Sequence, residues 1–427
     1  MPEPQLSPRS LAILGVVAAA CAACAAPDPV PQSAVPARAS FDRALIAKGA
    51  QLAAIGNCQV CHTAAGGKSF AGGRPLETPF GTMYGTNITP DPDTGIGGWS
   101  EEAFSRALRE GVDREGRHLY PVFPYEYYTR LTDEDIKALY AYIATREPVR
   151  AQNRPHELRP PYNVRALVGV WKTLYFERGA FQPDPARSAP WNRGAYLVGA
   201  LGHCSACHTP RNFLGAEKKS ERFSGGEAEG WHGPALNALS PSPLPWNAEQ
   251  LFKYLRTGLD DLHAIAAGPM EPVVRNLARV PEDEVRAMAV YLEALAGQPS
   301  EERRKKAEAA LALAKTAQRG EGRGAELYAG ACGACHDQGR AASSGGALHL
   351  ALGTAMTIPT SSNLLRITLE GIAPPEGEPG RAMPGFASAL TDGQVRDLMA
   401  YIREHFGRAP AWNDVDDELK KIREGRK

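Results

Sequence analysis

Three copies of one five-residue motif constrain this chain more than any other feature. Each reads C-x-x-C-H, from Cys58, Cys204 and Cys332. This spacing is the attachment signal of c-type haem, because two thiols add to the two vinyl groups of the ring and the adjoining histidine faces the iron. We therefore expect three haem c groups, held by six cysteines and ligated by three histidines: Cys58, Cys61, Cys204, Cys207, Cys332, Cys335, His62, His208 and His336.

Two other uses of paired cysteines fit this sequence less well. Zinc ribbons place two such pairs within about 20 residues of each other, whereas these pairs are far apart in the chain. A redox-active thiol pair belongs in a βαβ unit, and the pattern around these motifs is not of that kind. Covalent haem is therefore the interpretation that the spacing favours.

Composition excludes several other classes of function. The chain has 427 residues with 48 basic and 48 acidic side chains, and zero net charge argues against a nucleic-acid partner. The 43 glycines and 35 prolines predict many loops and little continuous sheet. The sequence carries no dinucleotide fingerprint, phosphate-binding loop or serine nucleophile elbow. The haems are then the chemically active groups that the sequence indicates.

Residues 1–26 have the pattern of an export leader. An apolar run follows Arg9 and continues into an alanine-rich stretch that ends at Ala26. The run is short for a membrane span of about 20 residues, and small residues before Pro27 suit signal-peptidase cleavage. The alternative is a lipoprotein acylated at Cys21. Haem c is attached outside the cytoplasm, so we expect a periplasmic protein at the outer face of the cytoplasmic membrane.

A longer repeat surrounds each motif. A basic residue, Gly and Ala precede it at 48–50, 193–195 and 323–325, and a closing helix follows at Leu131–Ile143, Val280–Leu295 and Leu390–Phe406. Ser100 and Asn247 are expected to cap a middle helix in the first two copies. The pattern predicts an all-α fold of three tandem domains resembling class I cytochrome c, with loop-rich linkers. We call the predicted domains repeat 1 (41–150), repeat 2 (188–297) and repeat 3 (320–408).

The two linkers differ in composition. Residues 299–319 are expected to form a charged helix, whereas residues 151–187 are rich in proline and aromatic side chains. Within the first linker, the apolar stretch 167–176 has two interpretations. Packing between haem domains is the favoured one, and contact with a membrane or a protein partner is the alternative.

The internal register suggests the sixth iron ligands. Counting twelve residues from Gly258 and from Gly371, the glycines that end the middle helices, gives Met270 and Met383. A thioether at this position favours ferrous iron and raises the reduction potential. Each methionine alternatively fills space in the core.

The same count from Gly111 gives Phe123, which cannot ligate iron. The haem of repeat 1 then uses Met83 or His118, or has an open or weakly liganded iron. Met83 is the preferred candidate, because methionine suits a high-potential carrier. Asn87 and Asn237 have two open roles, as donors to haem propionates or as turn-stabilising residues.

Several stretches resemble a known family. Residues 78–100, 118–143 and 192–218 are similar to the multi-haem cytochrome c subunits of periplasmic dehydrogenases. These include alcohol and gluconate dehydrogenases and the molybdenum-hydroxylase-type aldehyde, nicotinate and isoquinoline dehydrogenases. The first group carries Met where this chain has Phe123, so the run from Tyr120 to Tyr125 looks more like the molybdenum branch.

The resemblance implies an electron carrier. Its donor would be a dehydrogenase catalytic subunit, with molybdopterin and [2Fe–2S] subunits in the favoured branch, and its acceptor quinone, another cytochrome or an oxidase. Membrane association follows from the same resemblance. A second hypothesis makes the chain a haem enzyme, a peroxidase or thiosulfate-oxidising cytochrome, that uses an open iron in repeat 1.

Overall fold

The computed structural model describes residues 27–33, 40–315, 320–337, 347–373 and 382–425. The predicted leader, including Cys21, lies outside the described residues. The chain divides into two compact units. Unit 1 comprises residues 1–184 and 199–203, and unit 2 comprises residues 185–198 and 204–427.

Unit 1 contains repeat 1 and most of the first linker. Its helices are α1 (Arg43–Ile55), α2 (Cys58–Cys61), α3 (Glu101–Glu110), α4 (Tyr125–Tyr128), α5 (Asp133–Ala144) and α6 (Leu167–Tyr175). Strands β1 (Pro75–Thr78), β2 (Gly81–Tyr84) and β3 (Glu157–Leu158) form one antiparallel sheet in that order. The linker therefore supplies the third strand of this sheet.

Unit 2 contains repeats 2 and 3. Its helices are α7 (Ala189–Tyr196), α8 (Ser205–His208), α9 (Ala248–Thr257), α10 (Met270–Leu277), α11 (Glu282–Ala296), α12 (Glu301–Ala314), α13 (Arg323–Ala331), α14 (Gly333–His336), α15 (Ser362–Glu370), α16 (Asp392–His405) and α17 (Val415–Arg423). A π-helix, Leu197–Leu201, follows α7, and its residues 199–201 belong to unit 1. Two hairpins pair β4 (Gly226–Ala228) with β5 (Trp231–Gly233), and β6 (Leu259–Asp260) with β7 (Ala264–Ile265).

The helix before each motif packs on the closing helix of the same repeat: α1 on α5, α7 on α11 and α13 on α16. A glycine makes each crossing close, since a Cβ on Gly49, Gly194 or Gly324 would overlap a backbone carbonyl oxygen of the partner helix. The Cβ of a tyrosine lies beside each glycine: Tyr142, Tyr291 and Tyr401 respectively. The same helix contact thus occurs three times in the chain, with a glycine and a tyrosine at matching positions each time.

The basic residue before each glycine forms an ion pair with the same closing helix. Lys48 Nζ lies 2.6 Å from Asp135, Arg193 Nε 2.7 Å from Glu284 and Arg323 Nε 3.3 Å from Asp397. The first two carboxylates occupy the same position of the first helical turn. The three-residue signal before each motif therefore serves helix packing rather than the motif itself.

The predicted ends of the middle helices are confirmed in repeats 1 and 2. The Ser100 side chain accepts a hydrogen bond from the backbone N–H of Ala103, and Asn247 accepts one from Gln250. Gly111 and Gly258 close these helices with φ of +61° and +73°, a conformation that favours glycine. Both helices thus end at the residue from which the sixth-ligand position was counted.

The all-α prediction needs a correction, because seven short strands accompany the helices. Four of them lie in the loops between motif and middle helix in repeats 1 and 2, where the chain is long enough to fold back on itself. Buried backbone groups need partners, and these loops satisfy theirs as hairpins. Composition predicted few strands but not their positions.

Helix α6, in the apolar stretch of the first linker, has two different faces. Val168 and Lys172 are buried in unit 1, whereas Leu167 and Leu174 are 44% and 63% exposed. The Lys172 Nζ donates to the carbonyl oxygens of Glu110 and Gly111 at 2.7 and 2.6 Å, at the end of α3. The helix is thus fixed to repeat 1 by its inner face. Among the described residues, no helix is both long and apolar enough for a transmembrane segment.

Candidate haem-attachment sites

The histidine of each motif is held in the same way. Its Nδ1 lies within hydrogen-bond distance of a backbone carbonyl oxygen further along the chain: His62 to Thr86 at 2.7 Å, His208 to Pro234 at 2.7 Å and His336 to Leu348 at 2.8 Å. An acceptor at Nδ1 places the proton there and leaves the Nε2 lone pair for a metal. The three imidazoles therefore have the tautomer that an axial iron ligand requires.

The electrostatics agree with this assignment. Burial lowers the pKa of His62, His208 and His336 below the usual histidine value. Burial therefore keeps these imidazoles neutral, which is the form that binds a metal. The carbonyl acceptor opposes this effect but does not reverse it.

The six motif cysteines are free thiols, as covalent attachment of a prosthetic group requires. Burial raises the pKa of the first cysteine of each motif, to about 12 for Cys58 and Cys204 and about 11 for Cys332. The second cysteine is exposed in repeats 1 and 3, at Cys61 and Cys335. In repeats 1 and 3 the pair thus extends from a half-buried cysteine to an exposed one, whereas both cysteines of repeat 2 are half-buried.

Two glycines allow the carbonyl that holds the histidine to come close to the motif. A Cβ on Gly85 would overlap the carbonyl oxygen of Cys61, and one on Gly233 would overlap that of Cys207. Each glycine directly precedes the residue that supplies the accepting carbonyl, Thr86 or Pro234. This feature was not predicted, although the glycines stand at matching positions before those residues.

The expected sixth-ligand positions agree between repeats 1 and 2. After the middle helix, Val112 pairs with His118 in repeat 1 and Leu259 pairs with Ile265 in repeat 2. Phe123 and Met270 each lie five residues beyond these partners. The backbone pairing thus has the same length in the two repeats, which agrees with the alignment of Phe123 and Met270 by the count from glycine.

Repeat 3 differs in this loop. Met383 itself forms the bridge, exchanging backbone hydrogen bonds with Ile372 at 2.9 and 2.8 Å. The loop between them is longer, and residues 374–381 lie outside the described residues. Met383 matches Met270 in the count of twelve but not in backbone pairing. Both methionines are half-buried.

The two side chains proposed for repeat 1 have other contacts. Met83 lies on β2, is 5% exposed and packs in a small apolar cluster with Tyr120 and Val168. His118 Nδ1 lies 3.2 Å from Lys172 Nζ, on the inner side of α6. Phe123 stacks edge-on against Tyr128, with ring centres 5.7 Å apart.

The two asparagines considered for haem propionates bind the protein itself. Asn87 Nδ2 donates to Thr94 Oγ1 and to the carbonyl oxygens of Val149 and Ala151, at 3.1, 2.8 and 3.3 Å. Asn237 Nδ2 donates to the Arg222 carbonyl at 3.2 Å, and its Oδ1 accepts from Leu239 N–H at 2.9 Å. These contacts support the turn-stabilising role for both.

The helix pair, the C-x-x-C-H segment and the oriented histidine together define a c-type cytochrome. The family model described as "Cytochrome c" matches residues 46–147, and the one described as "Cytochrome C oxidase, cbb3-type, subunit III" matches residues 321–402. Within this class, the chain belongs to the family of cytochrome c subunits of dehydrogenases.

Three relatives illustrate this membership. A nicotinate dehydrogenase subunit of Pseudomonas putida is 46% identical over 395 residues; the match covers 91% of this chain but 32% of that protein. The fructose dehydrogenase cytochrome subunit of Gluconobacter japonicus is 36% identical, covering 93% of this chain and 86% of the relative. The gluconate 2-dehydrogenase cytochrome c subunit of Pantoea cypripedii is 36% identical, covering 85% and 86%. The chain thus spans about a third of the first relative and most of the other two.

Proposed function

We propose that this protein is a tri-haem cytochrome that takes electrons from a dehydrogenase catalytic subunit and passes them to quinone, another cytochrome or an oxidase. The threefold histidine-to-carbonyl contact carries the proposal, because one construction at all three motifs is what three attached haems need. A bound haem supplies the one-electron iron couple. The three proposed sites lie at repeats 1, 2 and 3.

The residues at each proposed site have different roles. The cysteine pair would hold the haem covalently, and His62, His208 or His336 would bind the iron through Nε2. As the second protein ligand of the iron we propose Met270 in repeat 2 and Met383 in repeat 3. In repeat 1 Met83 remains our proposed sixth ligand, with His118 or an open site as alternatives.

We propose a molybdenum-hydroxylase-type donor, with molybdopterin and [2Fe–2S] subunits. Two observations support this choice. Phe123 stands where the alcohol and gluconate branch carries methionine, and the 46% identity to a nicotinate dehydrogenase subunit exceeds that to the fructose and gluconate proteins reported above. A quinoprotein or flavoprotein donor is the alternative within the same family.

We further propose that the protein is exported to the periplasm and works at the membrane surface. The outer face of α6 supports the second part. Leu167 and Leu174 of this helix are 44% and 63% exposed, Val164 just before the helix is 49% exposed, and the interval 159–176 contains no acidic residue. An apolar face without negative charge suits the interface of an anionic bilayer.

The decisive experiment measures haem content and electron transfer on the same preparation. Intact mass should exceed the processed polypeptide by three haem masses, and a pyridine haemochrome assay should give three haems per chain. The isolated chain should oxidise no organic substrate, yet be reduced rapidly when its catalytic partner and that partner's substrate are added. Two haems or fewer, or substrate oxidation by the chain alone, would contradict the proposal.

The second candidate function rests on Phe123. If the iron of repeat 1 lacks a sixth protein ligand, the chain has a position where peroxide or thiosulfate can react. Isolated chain that shows a high-spin ferric signal together with peroxide turnover would favour a haem enzyme. A low-spin signal without turnover favours the carrier.

A further inference from the structure

Strand β5 lies between the axial histidine of repeat 2 and helix α15 of repeat 3. Residue 234, which directly follows this strand, provides the carbonyl oxygen that accepts from His208 Nδ1. His232, within the strand, interacts electrostatically with His208. Since a Cβ on Gly233 would overlap the Cys207 carbonyl, the strand has little room to move relative to the motif.

The other edge of β5 is held by one side chain of repeat 3. Asn363, near the start of α15, accepts from the His232 N–H through Oδ1 at 2.8 Å and donates from Nδ2 to the His232 carbonyl at 2.9 Å. The amide thus binds one residue at two points, as a neighbouring strand would. One turn later Arg366, which is 5% exposed, donates from Nε to the Gly230 carbonyl at 2.9 Å.

The corresponding strand of repeat 1 is supported from within unit 1. The strand that leads to Thr86 is held by its own linker, where β3 pairs with β2 and Asn153 Oδ1 accepts from the Asn87 N–H at 2.6 Å. The equivalent support in repeat 2 comes from repeat 3. This difference connects the ligand environment of one proposed haem to the docking of the next domain.

We infer that Asn363 is a positioning residue for the axial ligand His208: by clamping His232, it fixes the Pro234 carbonyl two residues on and so sets the reduction potential of the haem in repeat 2. A firm hydrogen bond at Nδ1 makes the imidazole a stronger donor to iron and favours the ferric state. Loss of the two hydrogen bonds from Asn363 should weaken the hydrogen bond between His208 Nδ1 and the Pro234 carbonyl, and the reduction potential of that haem should rise. The inference rests on the proposed haem sites.

The test is a potentiometric titration of the full chain with all haems attached. Asn363→Ala should shift one of the three steps upward, and that step should be the one that Met270→Ala also displaces. In the reduced Met270→Ala chain, where that haem lacks its proposed methionine ligand, adding Asn363→Ala should lower the iron–histidine stretching frequency seen by resonance Raman. Haem content by pyridine haemochrome and helix content by circular dichroism should match wild type, which separates a local effect from misfolding.

The control removes another contact between repeats 2 and 3, one that does not involve strand β5. Thr357 Oγ1 donates to the Pro241 carbonyl at 2.7 Å, and Thr357→Val deletes that bond with little change in shape or charge. It should leave all three steps in place. The inference is wrong if Asn363→Ala moves no step, moves only the step of repeat 3, or moves the steps no differently from Thr357→Val. A chain that carries fewer than three haems fails the proposed function instead, and this is visible in its mass.

Discussion

At the residue scale, Phe123 is the side chain that separates repeat 1 from repeat 2. The pairing of Val112 with His118 and of Leu259 with Ile265 gives Phe123 and Met270 the same position. If the iron of repeat 1 has no sixth protein ligand, Phe123→Met should supply a thioether to it. The potential of that haem should then rise, because a thioether favours ferrous iron, and the reduced protein should lose its carbon monoxide binding. If Met83 is already the ligand, as we propose, Phe123→Met should change neither property.

Phe123→Leu is the matched control, since it has similar apolar character and no sulfur. Redox titration and carbon monoxide difference spectra should distinguish the two variants only if the iron of repeat 1 is open. If methionine and leucine behave alike, another ligand already occupies the site. Met83→Leu then identifies it: a fall in the potential of that haem assigns Met83 as ligand, whereas an unchanged spectrum leaves Met83 as packing for Tyr120 and Val168.

Lys172 is a second residue whose environment gives a testable result. Burial lowers the pKa of Lys172 to about 7, below its value in an unfolded chain, so between pH 7 and about pH 10 the unfolded chain binds more protons. The free energy of unfolding should then rise with pH in this window, by at most about 1.4 kcal/mol per pH unit. Lys172→Met lacks this contribution.

Thermal unfolding of wild type and Lys172→Met between pH 7 and 9.5 measures the effect. The stability difference should move in favour of wild type as the pH rises. A difference independent of pH would show that the carbonyls of Glu110 and Gly111 keep the ammonium charged throughout the window.

The sequence proposes the cysteines and histidines of the sites, but it does not indicate the hydrogen-bond partners of the histidines. The accepting carbonyls lie 24, 26 and 12 residues beyond His62, His208 and His336. Such contacts depend on how each loop folds, and backbone carbonyls carry no residue signature. For the same reason, the sequence does not predict the two hydrogen bonds between Asn363 and His232, which are 131 residues apart in the chain.

At the element scale, the packing of the helix before each motif against the closing helix explains why a glycine recurs there. Gly194→Ala should force α7 and α11 apart, because the new Cβ would overlap the Ala287 carbonyl. Overpacking of this kind typically costs about 1–3 kcal/mol. Gly330→Ala in α13 is the control, since a Cβ there meets nothing within 4 Å.

Thermal unfolding should show a lower Tm for Gly194→Ala and an unchanged or slightly higher Tm for Gly330→Ala, which gains helix propensity. Equal Tm values for both variants would mean that the helices adjust without cost. Glycine recurs before each motif in the sequence, but its contact with the closing helix was not predicted, and neither were the short strands, since both depend on which segments meet in the fold.

The packing of helix α6 was also not predictable from the sequence. Its apolar character was clear from the sequence, and packing between haem domains was the favoured interpretation. One face instead packs on repeat 1, through Val168 and Lys172, while Leu167 and Leu174 remain exposed. The sequence alone does not show which face of the helix packs against the rest of the protein, since the stretch is apolar on nearly all sides.

The exposed face gives a prediction about membranes. Leu174→Glu should reduce flotation of the haem-loaded chain with vesicles of phosphatidylcholine and phosphatidylglycerol, because it places a charge on the apolar face. Leu239→Glu alters another exposed leucine, at 71% exposure in unit 2, and should leave flotation unchanged. Equal flotation of both variants would exclude this face as the contact, and loss of self-association in Leu174→Glu alone would point to a second copy of the chain.

At the scale of the whole molecule, the described chain forms two units, although its motifs recur three times. Repeats 2 and 3 share one unit, since Asn363, Arg366 and Thr357 all bind the backbone of repeat 2. Helix α12 adds to this joint, because Ala307 and Ala314 pack with Leu244 and Leu352. Counting motifs predicts the number of sites but not which repeats share a core, which depends on these contacts.

Because repeats 2 and 3 share one unit, removing the proposed haem of repeat 3 tests the order of the haems in the proposed electron path. Replacing Cys332 and Cys335 by alanine should leave two haems, because the other motifs have their own cysteines and axial histidines. Transfer from catalytic partner to acceptor should then fall to a small fraction of the wild-type rate, since a proposed relay has lost one site. If repeat 3 receives the electrons, the two remaining haems stay oxidised when partner and substrate are added; if it delivers them, those haems are reduced while the acceptor is not. Stopped-flow spectra in the haem bands distinguish the two orders. Transfer to the acceptor at the wild-type rate would show that repeat 3 lies outside the path, and the proposed relay would then comprise repeats 1 and 2 alone.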